Sequence, residues 1–209
     1  PVPAEAVGSA ASVVTDTQIE QSQERHAGEV LRRVPGISVN RTSTVGNLTQ
    51  VRIRGAEGNQ TMVIIDGIKV NDVAIGDEFN FAHLLTYDIG EMEVLRGPQS
   101  SLYGSDALGG VVSVGTRRAT EPFEAGLVAE GGSFGTGAGS LRLGSAGENY
   151  DIAFTTSYFR TDGFNIANDG GEDDGSNVLN SSLRGGFSPT ENLSFDFSGR
   201  IATGSNEFD

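Results

Sequence analysis

Residues Val94 to Gly115 read V-L-R-G-P-Q-S-S-L-Y-G-S-D-A-L-G-G-V-V-S-V-G. An apolar strand over Glu91 to Leu95 runs into Arg96-Gly97-Pro98, where proline fixes φ and withholds a donor, and Val111 to Val114 restart a strand. What lies between is polar and punctuated by glycine, which predicts a rigid turn holding two strands. Gly104, Gly109 and Gly110 ask for a backbone that bends tightly or approaches another surface closely, and Arg96 sets a fixed charge beside it.

Upstream, Pro1 to Ser12 are small and unpatterned and read as an extended lead. Thr15 or Asp16 caps a short helix through Ile19 and Glu20. Ala27 to Arg33 predict a second helix with Val30, Leu31 and Val34 on one side, stopped by Pro35-Gly36. Short strands follow at Ile37 to Asn40 and at Gln50 to Gly55, where Val51 and Ile53 alternate with Arg52 and Arg54. Thr61 to Val70 is a β-branched run broken by Asp66-Gly67, a hairpin signal. Polar loops occupy Arg41 to Thr49 and Asn71 to Asn80, and Phe81 to Leu85 is an apolar patch. Residues 13–118 therefore predict a small α+β domain with a mixed sheet and short helices.

Past Pro122 the period becomes two. Glu148 to Thr161 place Tyr150, Ile152, Phe154 and Tyr158 on one face and Asp151, Ala153, Thr155 and Ser157 on the other. Leu193 to Ala202 repeat the pattern, and Phe123 to Gly131, Gly137 to Gly144 and Val178 to Phe187 carry weaker versions. Such strands suit an antiparallel membrane barrel, apolar toward lipid and small or polar inside, while each taken alone favours a soluble sandwich.

Composition narrows the classes. With 30 glycines and 36% hydrophobic residues in a chain of 209, many short strands are favoured over a helical core. The net charge of −14 repels nucleic acid. The absence of cysteine rules out disulfides and thiolate metal sites. No run reaches the ~20 apolar residues of a membrane helix, which leaves a barrel open. Pro1 to Ala6 have neither the basic start nor the apolar core of a signal peptide.

The quoted stretch resembles the close of the plug domain in TonB-dependent outer-membrane receptors. Leu31-Arg32-Arg33-Val34-Pro35-Gly36-Ile37, Val51-Arg52-Ile53-Arg54-Gly55 and Val63-Ile64-Ile65-Asp66-Gly67-Ile68 agree with that family in order, and the spacing is most similar to its cobalamin-importing members. The resemblance implies a plug over 13–118 followed, over 123–209, by about five strands of an incomplete transmembrane β-barrel, since such receptors need about 22 strands to close. It further implies active uptake across a Gram-negative outer membrane of a corrinoid or, alternatively, a ferric siderophore, driven by TonB with ExbB and ExbD. A surface-binding β-protein without transport is the remaining alternative. Pro1 to Gly8 show no clear TonB box, which is expected to precede Pro1.

Site residues follow from the same resemblance. Plug-loop contacts to substrate fall at Leu48, Gln50, Glu57, Ile75 and Gly76, and Arg54 and Arg96 would latch the plug to carboxylates of the barrel wall. The loop Asn168 to Gly175 reads N-D-G-G-E-D-D-G, whose hard oxygens suit calcium, and Glu172, Asp174 and Asn165 align with calcium ligands. No catalytic arrangement emerges. His26 and His83 are isolated in the sequence, and the glycine-rich Gly132 to Gly139 leads into strand alternation instead of the helix a phosphate cradle requires. An enzyme is not expected.

Overall fold

The computed structural model describes residues 10–165 and 173–207. Its first strand starts earlier than the pattern predicts. β1 (Ala10–Thr15) pairs antiparallel with β6 (Ile89–Arg96), with Ala10 opposite Arg96 and Thr15 opposite Glu91. Ala10, Ala11 and Ser12 have little strand preference of their own, so the pairing with β6 supplies what local propensity lacks.

Thr15 then caps α1 (Asp16–Ser22), its hydroxyl accepting from the Gln18 amide while the Gln18 side chain accepts from Thr15. α2 (Ala27–Leu31) buries Val30 and Leu31 and yields to tighter turns before Pro35. β2 (Ile37–Arg41) and β3 (Thr49–Ile53) form a separate antiparallel pair. β4 (Thr61–Ile65) and β5 (Ile68–Lys69) close around Asp66 and Gly67, both at positive φ (49° and 84°), as a tight hairpin requires.

β6 and β7 (Gly110–Thr116) run antiparallel, and β7 lies parallel to β4, which gives the sheet order β1-β6-β7-β4-β5. The turn between them holds α3 (Ser100–Tyr103) and a 3-10 turn at Ser105–Ala107. Its glycines do what the sequence asks of them. Gly110 sits at φ +150°, and a Cβ there would lie 2.2 Å from the Leu95 carbonyl oxygen. The core beneath is formed by Ile19, Leu31, Ile53, Val63, Phe81, Leu84, Ile89, Met92, Val94, Val112 and Val114.

The chain divides into two units, one running to Thr42 and from Leu48 to Thr116, the other comprising Ser43–Asn47 and the chain from Arg117 onward. In the second, β8 (Glu124–Gly131), β9 (Gly137–Ala146), β10 (Tyr150–Thr161), β11 (Ser176–Thr190) and β12 (Leu193–Asn206) form one antiparallel sheet in sequence order. The glycine-rich stretch that resembled a phosphate loop is the β8–β9 turn. Polarity is inverted relative to a water-soluble sheet. Ile152, Phe154, Leu179, Leu183, Phe195 and Phe197 are exposed, while Thr155, Ser157, Asn180 and Ser182 on the alternate face are buried.

Inside that second unit Arg118 reaches Asp151 at 3.0 Å and also pairs with Asp196, and Arg142 pairs with Glu124 at 2.9 Å. These charges lie on the face opposite the apolar rows, where they pair with one another.

Two outcomes follow for the first unit. Gly110→Ala should destabilise it by at least about 2 kcal/mol, read from the urea midpoint, because a Cβ collides with backbone rather than with a movable side chain. His26 is held at about 4 against an ordinary 6.5, first by burial and then by the charges of Arg41 and Arg25. The folded imidazole stays neutral while the unfolded one takes a proton below about 6.5, so stability is lost as pH falls from 6.5 toward 4, by about 3 kcal/mol at most. Protection factors of core amides, corrected for the intrinsic exchange rate at each pH, should fall on acidification across that window, and His26→Gln should flatten the dependence.

Candidate functional site

The loop Asn71 to Asn80 is built as a rigid platform. Asn71 replaces a strand neighbour: its side-chain oxygen accepts from the Val63 amide (2.8 Å), and its Nδ2 donates to the carbonyls of Thr61 (3.1 Å) and Asp77 (3.0 Å). Asp72 caps the 3-10 turn Val73–Ile75 and closes the loop through its amide to the Glu78 carbonyl (2.7 Å). At the far end Asn80 Oδ1 accepts from the amides of Thr49 and Ala82, both at 3.0 Å. Lys69 ties the loop to the glycine-rich turn by pairing with Asp77 (3.3 Å) and with Asp106. That contact, with a bond from Ser105, holds the Asp106 carboxyl below its ordinary value.

What the platform presents is apolar. Val73 is 82% exposed and Ile75 44% exposed, and Gly76 at φ +83° turns the chain back beside them. Ile75 and Gly76, expected as ligand contacts, therefore occupy the loop tip.

Gln50 and Glu57 are drawn into one polar network with it. The Gln50 amide donates to Glu78, Arg52 Nη2 donates to Gln50 Oε1 (3.3 Å), and the same guanidinium pairs with Glu57 (3.2 Å). A Cβ on Gly58 would meet the Glu78 carboxylate at 2.8 Å, so glycine leaves room for that acid. Leu48 lies half-buried just ahead of β3, its carbonyl accepting from the Thr42 amide (3.1 Å). Arg52, Asn71, Glu78 and Asn80 were not singled out by the sequence. The signal for Arg52 was the polar face of β3; nothing local marks the others.

Arg54 and Arg96 come together around the Pro35-Gly36 turn. A Cβ on Gly36 would lie 3.5 Å from Arg96 Cδ and 3.7 Å from Arg54 Cγ. Arg96 donates to the carbonyls of Pro35 (2.7 Å) and Ala11 (3.3 Å), stapling β1 to the turn. Arg54 takes a left-handed backbone (φ 53°) that an arginine adopts at a cost of roughly 1 kcal/mol, and its amide donates to the Gly36 carbonyl (2.8 Å). Among the described residues no carboxylate pairs with either guanidinium.

The calcium expectation falls partly beyond reach: Glu172 lies outside the described residues. Asp174 is buried at the foot of β11, and the Asn165 amide donates to Asp173 Oδ1 (3.1 Å). Among the described residues no group of three His, Cys, Asp or Glu is arranged to hold a metal.

Arg96→Met should speed hydrogen exchange in β1 by removing the donor to Ala11 and Pro35. Arg54→Gly should leave the stability of the first unit unchanged or raise it by up to about 1 kcal/mol, since it relieves the left-handed strain. A larger loss in Arg54→Gly would show that the side chain already holds the fold.

Comparison with known proteins places this geometry. The family model described as TonB-dependent Receptor Plug Domain matches residues 3–111. The vitamin B12 transporter BtuB of Vibrio vulnificus strain CMCP6 is 37% identical over 129 residues, covering 62% of this chain and 20% of the transporter. Among solved structures, the siderophore receptor PirA from Acinetobacter baumannii superposes with a TM-score of 0.77 at 21% identity, over 98% of this chain and 32% of that one. The ferric yersiniabactin uptake receptor FyuA from Yersinia pestis gives 0.70 at 19%, over 96% and 32%. These two likenesses carry the fold alone, and this chain spans about a fifth of the length of the curated relative. The plug model covers more than half of the sequence, and the mixed sheet followed by antiparallel strands agrees with it: the chain belongs to the TonB-dependent receptor plug-domain family.

Proposed function

We propose that this chain is the plug and the first five barrel strands of an outer-membrane receptor that imports a corrinoid of the cobalamin class into a Gram-negative cell. The likeness to BtuB motivates the cargo, and one observation in the plug carries it. The loop that carries the apolar tip at Val73 and Ile75 includes Asp72, Asp77 and Glu78, and Glu57 joins it through Arg52 and Gln50; the cations paired into this network are Lys69 and Arg52, an acidic balance. Ferric catecholates are anions and are repelled by such a balance; a corrinoid is a bulky, amide-fringed ring that gains from an apolar platform and from amide and carboxylate partners. A ferric siderophore remains the second reading, favoured by the names of the structural neighbours.

The strands support a membrane position. Tyr150, Phe187 and Phe195 stand opposite one another across β10, β11 and β12. At the other end Tyr158, Phe134 and Phe164 are exposed, the last two with ring centroids 5.8 Å apart. Eight residues separate Tyr150 from Tyr158, about 26 Å along a strand, which suits an apolar band between two aromatic girdles. The open edges of β8 and β12 require further strands, because lipid satisfies no backbone donor.

Import needs energy that the outer membrane lacks, and TonB with ExbB and ExbD supplies it by pulling on the plug. Arg54 and Arg96 meet carboxylates from later strands and hold the plug until that pull. Calorimetric titration of the intact receptor tests the cargo. Cyanocobalamin should bind and ferric enterobactin should fail to compete, while Glu57→Lys should weaken that discrimination. Tight binding of the ferric chelate with none of the corrinoid would hand the assignment to the siderophore reading.

A further inference from the structure

The chain leaves the first unit at Thr116 and reaches β8 through a short segment, Arg117 to Phe123, that is bound within the second unit along its length. The Arg118 carbonyl accepts from Arg142 Nη2 (2.9 Å), the Glu121 carbonyl from the Ala146 amide (2.8 Å) and the Pro122 carbonyl from the Ser145 hydroxyl (2.8 Å). Glu124 Oε1 in turn accepts from the amides of Thr120 (2.6 Å) and Glu121 (3.0 Å). Ala119 is buried, and a Cβ on Gly144 would lie 3.0 Å from its own. A plain connection would leave these groups to water. Here the segment is a strap laid against β9.

The Arg118 side chain fixes that strap to three further strands. Asp151 on β10, Gly186 on β11 and Asp196 on β12 stand in one cross-strand row, because Gly186 is opposite both acids. The guanidinium spans the row, with Nη1 on Asp151 (3.0 Å) and Nη2 on Asp196. Gly186 opens the socket: a Cβ there would lie 2.7 Å from Asp151 Oδ1 and 3.0 Å from Arg118 Nη1. A planar fork serves both carboxylates at once, which the single ammonium of a lysine does less well. One exposed ion pair holds little by itself. In the strap the Arg118 pairs and the carbonyl bonds are loaded in parallel, so they yield together or not at all.

We propose that the strap is the anchor at which a pull on the first unit stops, and that Arg118, seated between Asp151 and Asp196, keeps the force out of β8. This rests on the reading of the first unit as a plug pulled from its N-terminal side. β8 is the strand joined directly to the strap, and peeling it away would leave β9 with backbone groups that lipid cannot satisfy. With the strap seated, the chain ahead of Arg118 is drawn out while the barrel strands stay paired.

Force spectroscopy on the intact receptor in a bilayer, pulled by a handle at its N-terminus, tests the anchor without TonB or cargo. Once the plug has unravelled, extension should halt at the strap before the barrel strands yield. Arg118→Met should lower the halting force by about twofold or more and lengthen the extension by about 20 Å, the reach of the stretch Arg118 to Phe123 at roughly 3.4 Å per residue. Gly186→Val keeps all three charges but fills the socket, and should do the same. A disulfide between Ala119→Cys and Gly144→Cys in the Arg118→Met background should restore the halt, and a reductant should abolish it again, which general misfolding would not produce. An unchanged halting force in both Arg118→Met and Gly186→Val overturns the anchor and leaves the import reading standing. Undiminished uptake of cyanocobalamin in cells lacking TonB overturns the pull itself, and a halt at the strap would then be a structural tie only.

Discussion

An inverted polarity governs the second half of the molecule. In β10 and β11 most large apolar side chains are exposed, Phe159 and Val178 excepted, while the small polar ones between them are buried, and β8, β9 and β12 also leave large apolar side chains exposed. In water that arrangement would expose hydrophobic rows across all five strands, far more than a soluble surface tolerates. In hydrocarbon it is the stable one, provided every backbone donor and acceptor has a strand partner and charges within the apolar band stay on the other face. The Arg118, Asp151 and Asp196 cluster and the Arg142–Glu124 pair obey the second condition.

The first half answers a different demand: a small domain must hold polar loops still. It does so with few helices and a sheet whose central strands, β6 and β7, meet around a turn that admits only glycine at position 110. From that sheet, side-chain amides do the work of missing backbone partners. Asn71 extends β4 and Asn80 joins β3 to the Phe81 segment, so the apolar tip between them is presented on a fixed base. Preorganisation of this kind lowers the ordering cost of binding.

Much of this was legible in the residues because it is local. Asp66-Gly67 announced a hairpin, Thr15 a cap, Gly104 and Gly110 a constrained turn, and period two the barrel-like strands. What was not legible is long-range. β1 begins at Ala10 only because β6 pairs with it, and Arg96 serves Pro35 and Ala11, 61 and 85 residues away. Glu78 and Arg52 are ordinary surface residues in the sequence; their joining of Gln50, Glu57 and the loop Asn71 to Asn80 appears only once β3 and that loop are placed side by side.

These 209 residues contain no cysteine, so within them single probes can be placed at will once any cysteine elsewhere in the receptor is replaced by serine. In the intact receptor in bilayers, spin labels on Ile152→Cys, Phe154→Cys and Leu183→Cys should collide with dissolved oxygen and be shielded from a water-soluble nickel chelate. Labels on the neighbouring Ala153→Cys, Thr155→Cys and Ser182→Cys, buried on the other face, should collide far less with oxygen. If both sets met the nickel chelate equally, with no alternation along β10 and β11, the strands would face water, and this reading of the molecule would be contradicted.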